Sequence, residues 1–173
     1  AGRIFTAFRR TPIHSFHEAH RAKFMYAGSW MRPEYYQTDG LSREQCIYRE
    51  AKNVRHGVGL IDLGTLGKIE ACGPDVVEFL HRFYTGLFAR LRVGRSRYGA
   101  MCDESGVVID DGIVGRLAED RFYFSTTTTG SDAIYQLMQR WIIEWGLGVL
   151  LTNATSHYLA MNLAGPHSIE VLQ

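Results

Sequence analysis

Cysteine is scarce in this chain and its spacing is uninformative. The three residues, Cys46, Cys72 and Cys102, are an odd number with no Cys-x-x-Cys pair, which argues against a disulfide framework or a zinc ribbon. A reducing compartment, the cytoplasm, is the expectation that follows. Long apolar runs are also missing. Nothing approaches the ~20 residues of a membrane-spanning helix, and no basic-then-apolar leader is present, so no membrane partner is expected. Charge of one sign is absent too. The 19 basic and 18 acidic residues leave a net charge of +1, with no electrostatic footprint for nucleic acid. Lysine occurs only at Lys23, Lys52 and Lys68, so the basic side chains are mostly arginine, suited to planar contacts with carboxylates or phosphates and equally to surface ion pairs. Gly57-Val58-Gly59 and Gly64-Thr65-Leu66-Gly67 match neither a G-x-G-x-x-G nor a Walker pattern, and there is no nucleophile elbow.

What is present reads as an α+β chain with antiparallel sheets and packed helices. Thr11-Pro12 has the form of a helix start running to about Arg21. The aromatic, turn-rich stretch from Gly28 to Gly40, with Trp30, Pro33, Tyr35 and Tyr36, reads as an ordered loop. Ser42-Arg43-Glu44-Gln45 is a capping box opening a helix that stops at Gly57. Strands are expected at Gly59 to Asp62 and Gly67 to Cys72, then a helix from Val76 to Tyr84. Tyr98 to Cys102, Val107 to Gly115 and Arg121 to Thr127 form a meander, with a turn at Glu104-Ser105-Gly106. Ile134, Leu137, Met138, Trp141, Ile142 and Trp145 line one face of a helix from Ser131 to Trp145, which Gly146 ends. Further strands are expected near Gly148 to Thr152 and Tyr158 to Leu163. Two segments echo each other as strand, Gly-Pro, helix: one through Gly73-Pro74, the other through Gly165-Pro166.

Four groups carry candidate chemistry. Asp110 and Asp111 lie within a strand pattern and point to opposite faces. The apolar residues on both sides imply two covered faces, so the more buried carboxylate needs a partner. A structural pairing with Arg95, Arg97 or Arg116 is the reading that residue physics alone favours over a catalytic role. His14, His17 and His20 recur every three residues but drift round the helix, and are expected to be surface or interfacial histidines rather than metal ligands. The hydroxyl run from Ser125 to Thr129, closed by Gly130, delivers the chain to the major helix. It reads equally as a ligand-holding helix N-terminus and as β-propensity followed by capping from Ser131. Arg90, Arg92, Arg95 and Arg97 read as a solvated basic face.

Taken in order, Thr11-Pro12 with His17, Gly28-Ser29-Trp30-Met31-Arg32-Pro33, Val54-Arg55 leading to Gly59-Leu60-Ile61-Asp62, Gly73-Pro74-Asp75, Arg97-Tyr98-Gly99-Ala100-Met101, Gly106-Val107-Val108-Ile109-Asp110-Asp111 and Leu163-Ala164-Gly165-Pro166 resemble the glycine-cleavage T-protein (aminomethyltransferase) family. Within it, Trp30 to Pro33 with Tyr35-Tyr36, Thr65 to Glu70 and Thr126 to Thr129 are most similar to the C-terminal folate-binding part of heterotetrameric sarcosine oxidase α subunits. The resemblance implies an aminomethyltransferase folate-binding fold, with residues 1–173 as the N-terminal part of that domain in a longer chain. It implies tetrahydrofolate as cofactor, and a one-carbon transfer forming 5,10-methylene-tetrahydrofolate from an iminium or formaldehyde unit. Asp110 is then the catalytic acid, and Tyr98, Thr126 and Thr127 are further folate-cavity residues. The implied partners are a methylated amine or its imine product and a flavoprotein subunit, with flavin and NAD held only on other domains or subunits. A non-catalytic module of the same fold that docks to a flavoprotein is the alternative.

Overall fold

The computed structural model describes residues 9–173. In chain order the elements are β1 (Arg9–Arg10), α1 (His14–Ala19), β2 (Ala22–Ala27), β3 (Trp30–Tyr36), α2 (Arg43–His56), β4 (Gly59–Asp62), β5 (Gly67–Cys72), α3 (Val76–Phe83), β6 (Tyr84–Thr85), β7 (Ser96–Cys102), β8 (Val108–Ala118), β9 (Arg121–Thr126), α4 (Ser131–Trp145), β10 (Leu150–Asn153), β11 (Met161–Ala164) and α5 (Ser168–Leu172). They fall into two compact units, one comprising the residues up to Thr65 with Leu159–Gln173, the other Leu66–Tyr158. The α+β class with antiparallel sheets is borne out.

The Leu66–Tyr158 unit is built on a six-stranded antiparallel sheet in the order β10-β5-β9-β8-β7-β6. The expected meander is its β7-β8-β9 part. Helices α3 and α4 cover one face, enclosing Ile69, Phe79, Leu80, Met101, Phe122 and Met138. Each such side chain contributes about 1.5–3 kcal/mol on burial. The stripe on α4 faces this core through Ile134, Met138 and Ile142, with Leu137, Trp141 and Trp145 packed at its margin. Gly146 ends the helix in the left-handed conformation at φ 63°, which a Cβ would disfavour. Over β7 and β8 the other sheet face is open: Tyr98, Ile109 and Ile113 are exposed. The expectation that both faces of the Asp110 strand are covered is therefore corrected, because the helices pack on one side of β8. At the far end of β5, the fully buried Lys68 gives its ammonium to the carbonyls of Leu66 and Thr155, at 3.0 and 3.2 Å.

In the other unit, α2 starts at the capping box as expected: Ser42 Oγ accepts from the Gln45 amide while the Gln45 side chain accepts from the Ser42 amide. The stretch expected to be a loop after Gly28 is instead largely strand. β3 pairs antiparallel with β2 and parallel with β1. Pro33 disguised it, and the sheet tolerates Pro33 opposite Phe24, next to a register shift between Lys23 and Phe24. Helix α1 is shorter than expected, and Arg21 follows it with φ 62°. Thr11 does not cap it. Its hydroxyl is buried and donates to Asp62 at 2.7 Å. β11 pairs with β4 as a two-stranded sheet.

The sequence echo is a geometric one. Gly73 and Gly165 have φ values of 142° and 118°. Each turns the chain from strand to helix with a closing bond, Val76 N–H to the Gly73 carbonyl and Ser168 N–H to the Gly165 carbonyl. Each also abuts a backbone carbonyl, so that a Cβ would lie 2.1 Å from Gly148 O and 2.3 Å from Gly57 O respectively.

Candidate functional site

Strand alternation along β8 puts Asp110 on the same side as the buried Val114, and Asp111 on the open side with Ile109 and Ile113. Asp110 is only 4% exposed. Its Oδ1 accepts from the amides of Asp111 and Thr127, at 2.7 and 3.0 Å, and its Oδ2 accepts from the Thr127 hydroxyl at 3.0 Å. The favoured arginine pairing does not form. The Arg116 guanidinium is drawn instead to the carbonyls of Leu91 and Glu119 and to the Glu119 carboxylate, while Arg97 donates to the Leu87 carbonyl. Among the described residues its hydrogen-bond donors are all uncharged, two amides and one hydroxyl.

The hydroxyl run supplies the clasp. Thr127 Oγ1, besides donating to Asp110, accepts from the Gly130 amide at 3.2 Å and closes the turn into α4. Ser131 was expected to cap that helix. It is instead the first helical residue, buried, with its hydroxyl 3.5 Å from that of Thr155. Thr126 is buried and donates to the Thr127 carbonyl at 3.3 Å. It lies over Gly67, where a Cβ would come within 2.0 Å of its hydroxyl. Gly130 is a residue that sequence reasoning did not single out. A Cβ there would lie 2.2 Å from Asp110 Oδ2, so the bare Cα is what leaves room beside the carboxylate.

Asp110 and Thr127 are therefore brought together, with Thr126 adjoining. Tyr98 stands on the open side of the sheet, 61% exposed, and its hydroxyl donates to Asp111 in a close contact. That bond, followed by slight burial and the charges of Asp111 and Asp110, holds the Tyr98 phenol above its usual range. The arginine series Arg90, Arg92, Arg95 and Arg97 is exposed, as expected.

A second polar constellation lies in the other unit, and corrects the expectation of surface histidines for His14 and His17, while His20 is exposed as expected. His14 and His17 are both buried, and His17 Nε2 meets Asp62 Oδ2 at 2.9 Å. His17 Nδ1 meets the Tyr36 hydroxyl at 2.7 Å, and the Gly64 amide donates to Asp62 Oδ1 at 2.7 Å. Burial pushes the Asp62 carboxyl up, but bonds from Thr11, His17 and Gly64 outweigh it and leave the carboxyl below the ordinary range. His17, Tyr36 and Asp62 line a cleft of about 550 Å³ with Phe16, Leu60 and Met161. Among the described residues no group of His, Cys, Asp and Glu side chains has the arrangement of a metal site. No helix among them is long and apolar enough to cross a membrane.

Comparison with known proteins places these features in a family. The pattern described as the GCVT N-terminal domain matches residues 13–173. A sarcosine oxidase subunit alpha from Corynebacterium sp. (strain U-96) is 44% identical over 99% of this chain, which spans 18% of that protein. An aminomethyltransferase from Desulforamulus reducens is 29% identical over 95% of the chain, which spans 42% of it. The crystal structure of the glycine cleavage system aminomethyltransferase T from Bartonella henselae superposes with a TM-score of 0.84 at 27% identity, covering 95% of this chain and 42% of that one.

Proposed function

This chain belongs to the GCVT N-terminal domain family, and from that premise we propose that it is a tetrahydrofolate-binding, one-carbon-transfer module with Asp110 as its working carboxylate. The observation that carries the reading is the setting of Asp110: a buried carboxyl held by three neutral donor groups beside a bare glycine Cα. The residues fit a ligand amine. Oδ2 receives one donor where Oδ1 receives two, so Oδ2 retains acceptor capacity for an N–H group. Glycine at position 130 is what admits that oxygen, since a Cβ there would lie 2.2 Å from it. Tetrahydrofolate would supply the amine nitrogens that capture the one-carbon unit. Asp110 orients such an amine by accepting its proton-bearing edge, and its charge stabilises positive charge developing as the carbon is captured. Thr127 fixes the carboxylate for that task, and Thr126 backs the same turn. Tyr98 stands on the open side of the sheet, bonded to Asp111, and would meet a ligand only from the face opposite Asp110.

The reaction assigned is formation of 5,10-methylene-tetrahydrofolate from an iminium or formaldehyde unit released by a methylated amine. In the sarcosine-oxidase-like setting a flavoprotein subunit delivers that unit, with flavin and NAD carried elsewhere, in the cytoplasm. Asp110→Asn tests the reading. It is isosteric and is expected to abolish methylene-tetrahydrofolate formation with the melting temperature little changed; undiminished product formation would remove Asp110 from its role. The alternative of a docking module is favoured by one observation, the exposed apolar strip of Tyr98, Ile109 and Ile113. It predicts flavoprotein association without any tetrahydrofolate binding by calorimetry.

A further inference from the structure

A second buried polar group shares the face of Asp110. Tyr84, the first residue of β6, pairs with Met101 of β7, and Met101 pairs in turn with Asp110 of β8. The three stand in one row across the sheet and all are buried, on the helix-covered side. Two strand spacings separate Tyr84 from Asp110 by about 10 Å between Cα atoms, a gap that a phenol and a carboxylate side chain can bridge together. A Cβ on Gly99 would lie 2.9 Å from Tyr84 Cδ1, so glycine there lets the ring lie down over β7. The ring is directed inward from the sheet edge, with its centroid 5.8 Å from that of Phe124 on β9.

The Tyr84 hydroxyl is enclosed and has no hydrogen-bond partner among the described residues. Burial, and then the charge of Asp110, push its pKa above the ordinary phenol range. An enclosed, unpaired hydroxyl weakens a fold, and phenylalanine would fill the same space among Phe83, Phe88 and Phe124 without that cost. Packing alone therefore does not account for tyrosine at this position.

We propose that Tyr84 is a positioning residue for Asp110, its phenol O–H being the donor that takes over Oδ2 when that oxygen turns away from the Thr127 hydroxyl. The charge of Asp110 is then supported in two orientations, one clasped to the turn before α4 and one released towards a ligand. This rests on the reading of Asp110 as the group that meets the folate amine. The charged and titratable groups around the pair are few. Asp111 follows Asp110 on the opposite side and is bonded to Tyr98 of β7. Arg116, further along β8, is engaged by Glu119, and Arg97 of β7 by the Leu87 carbonyl. His81 of α3 accepts from the Ala89 amide, and Asp132 in the first turn of α4 is exposed.

The test is a double-mutant cycle of Tyr84→Phe and Thr127→Val in the full-length protein. The Asp110 carboxyl would be titrated by infrared difference against Asp110→Asn, with no folate present. Thr127→Val alone is expected to move the protonation midpoint little, because Tyr84 takes over. The double variant is expected to move it up by roughly one pH unit or more beyond the sum of the single changes. Additive shifts, with Tyr84→Phe silent on both backgrounds, overturn the proposal. If Thr127→Val does not fold, Thr127→Ala takes its place in the same cycle: a double-variant midpoint raised beyond the sum of the single changes supports the role, and an additive one ends it. Calorimetry of tetrahydrofolate on the wild type and Asp110→Asn tests the underlying reading separately, so failure of one is not mistaken for failure of the other.

Discussion

Asp110 and Gly130 meet as carboxylate oxygen against bare Cα, at a spacing that a single methyl group would close to 2.2 Å. The backbone at Gly130, with φ −82° and ψ −18°, is one that alanine adopts without strain. The glycine is thus required by the carboxylate and not by the chain.

Gly130→Ala follows as a selective probe. The new methyl would also lie 2.8 Å from Thr127 Oγ1, so the clasp has to open. The expected cost is about 1–3 kcal/mol of stability from overpacking. Tetrahydrofolate affinity is expected to fall tenfold or more, about 1.4 kcal/mol. Unfolding melts and calorimetric titration check the two parts, and wild-type affinity in this variant would remove the clasp from the binding site.

Asp62→Asn probes the other constellation. Asparagine there loses acceptor capacity for Thr11, His17 and Gly64, and a buried donor left unpaired costs about 1–3 kcal/mol, so a loss of stability at pH 7 is expected. The sign with pH follows from the depressed Asp62 carboxyl. Its contribution is fully present above the unfolded-state value of about 3.9, and is lost as pH falls through the lower folded-state value. The gap in melting temperature between wild type and variant should therefore narrow from pH 7 towards pH 3. An equal gap at both ends would show that the carboxylate's charge is not what stabilises the fold.

Gly73→Ala and Gly165→Ala test the two Gly-Pro corners. Each forces a Cβ onto a carbonyl oxygen and a left-handed φ onto alanine, costing about 1–3 kcal/mol for the backbone strain alone. Denaturant melts of each variant are expected to show a lowered midpoint. If either is as stable as wild type, that corner has relaxed and the geometric echo is not under the same constraint.

The legible parts of this molecule are those whose cause is local. Ser42 and Gln45 cap α2 from three residues apart, and the α4 stripe needs only its own period to be read. Pro33 gave a false local signal, because the strand that accommodates it depends on pairing with β2. Thr11 and His17 were misread for the same reason: their partner Asp62 is 51 and 45 residues away, and no spacing rule announces it. At the candidate site, Asp110 stood out as an acid in an apolar strand. The uncharged nature of its donors did not, since Arg116 is diverted by carbonyls that only the folded turn presents. Gly130 and Tyr84 carried no sequence signal of their own. Each is defined by what lies across from it.

The Asp110–Thr127 clasp also bears on the order of assembly. Its two residues are 17 apart, whereas the bonds that seat Lys68 against Thr155 close a separation of 87. Loop-closure entropy penalises the longer closure more, and contacts of short sequence separation form sooner. On that ground the carboxylate is expected to be gathered into place by its own β8-β9 hairpin and the turn that follows, ahead of the strand pairing that completes the sheet. Substitutions at the clasp are expected to be felt in the folding rate as well as in the finished site.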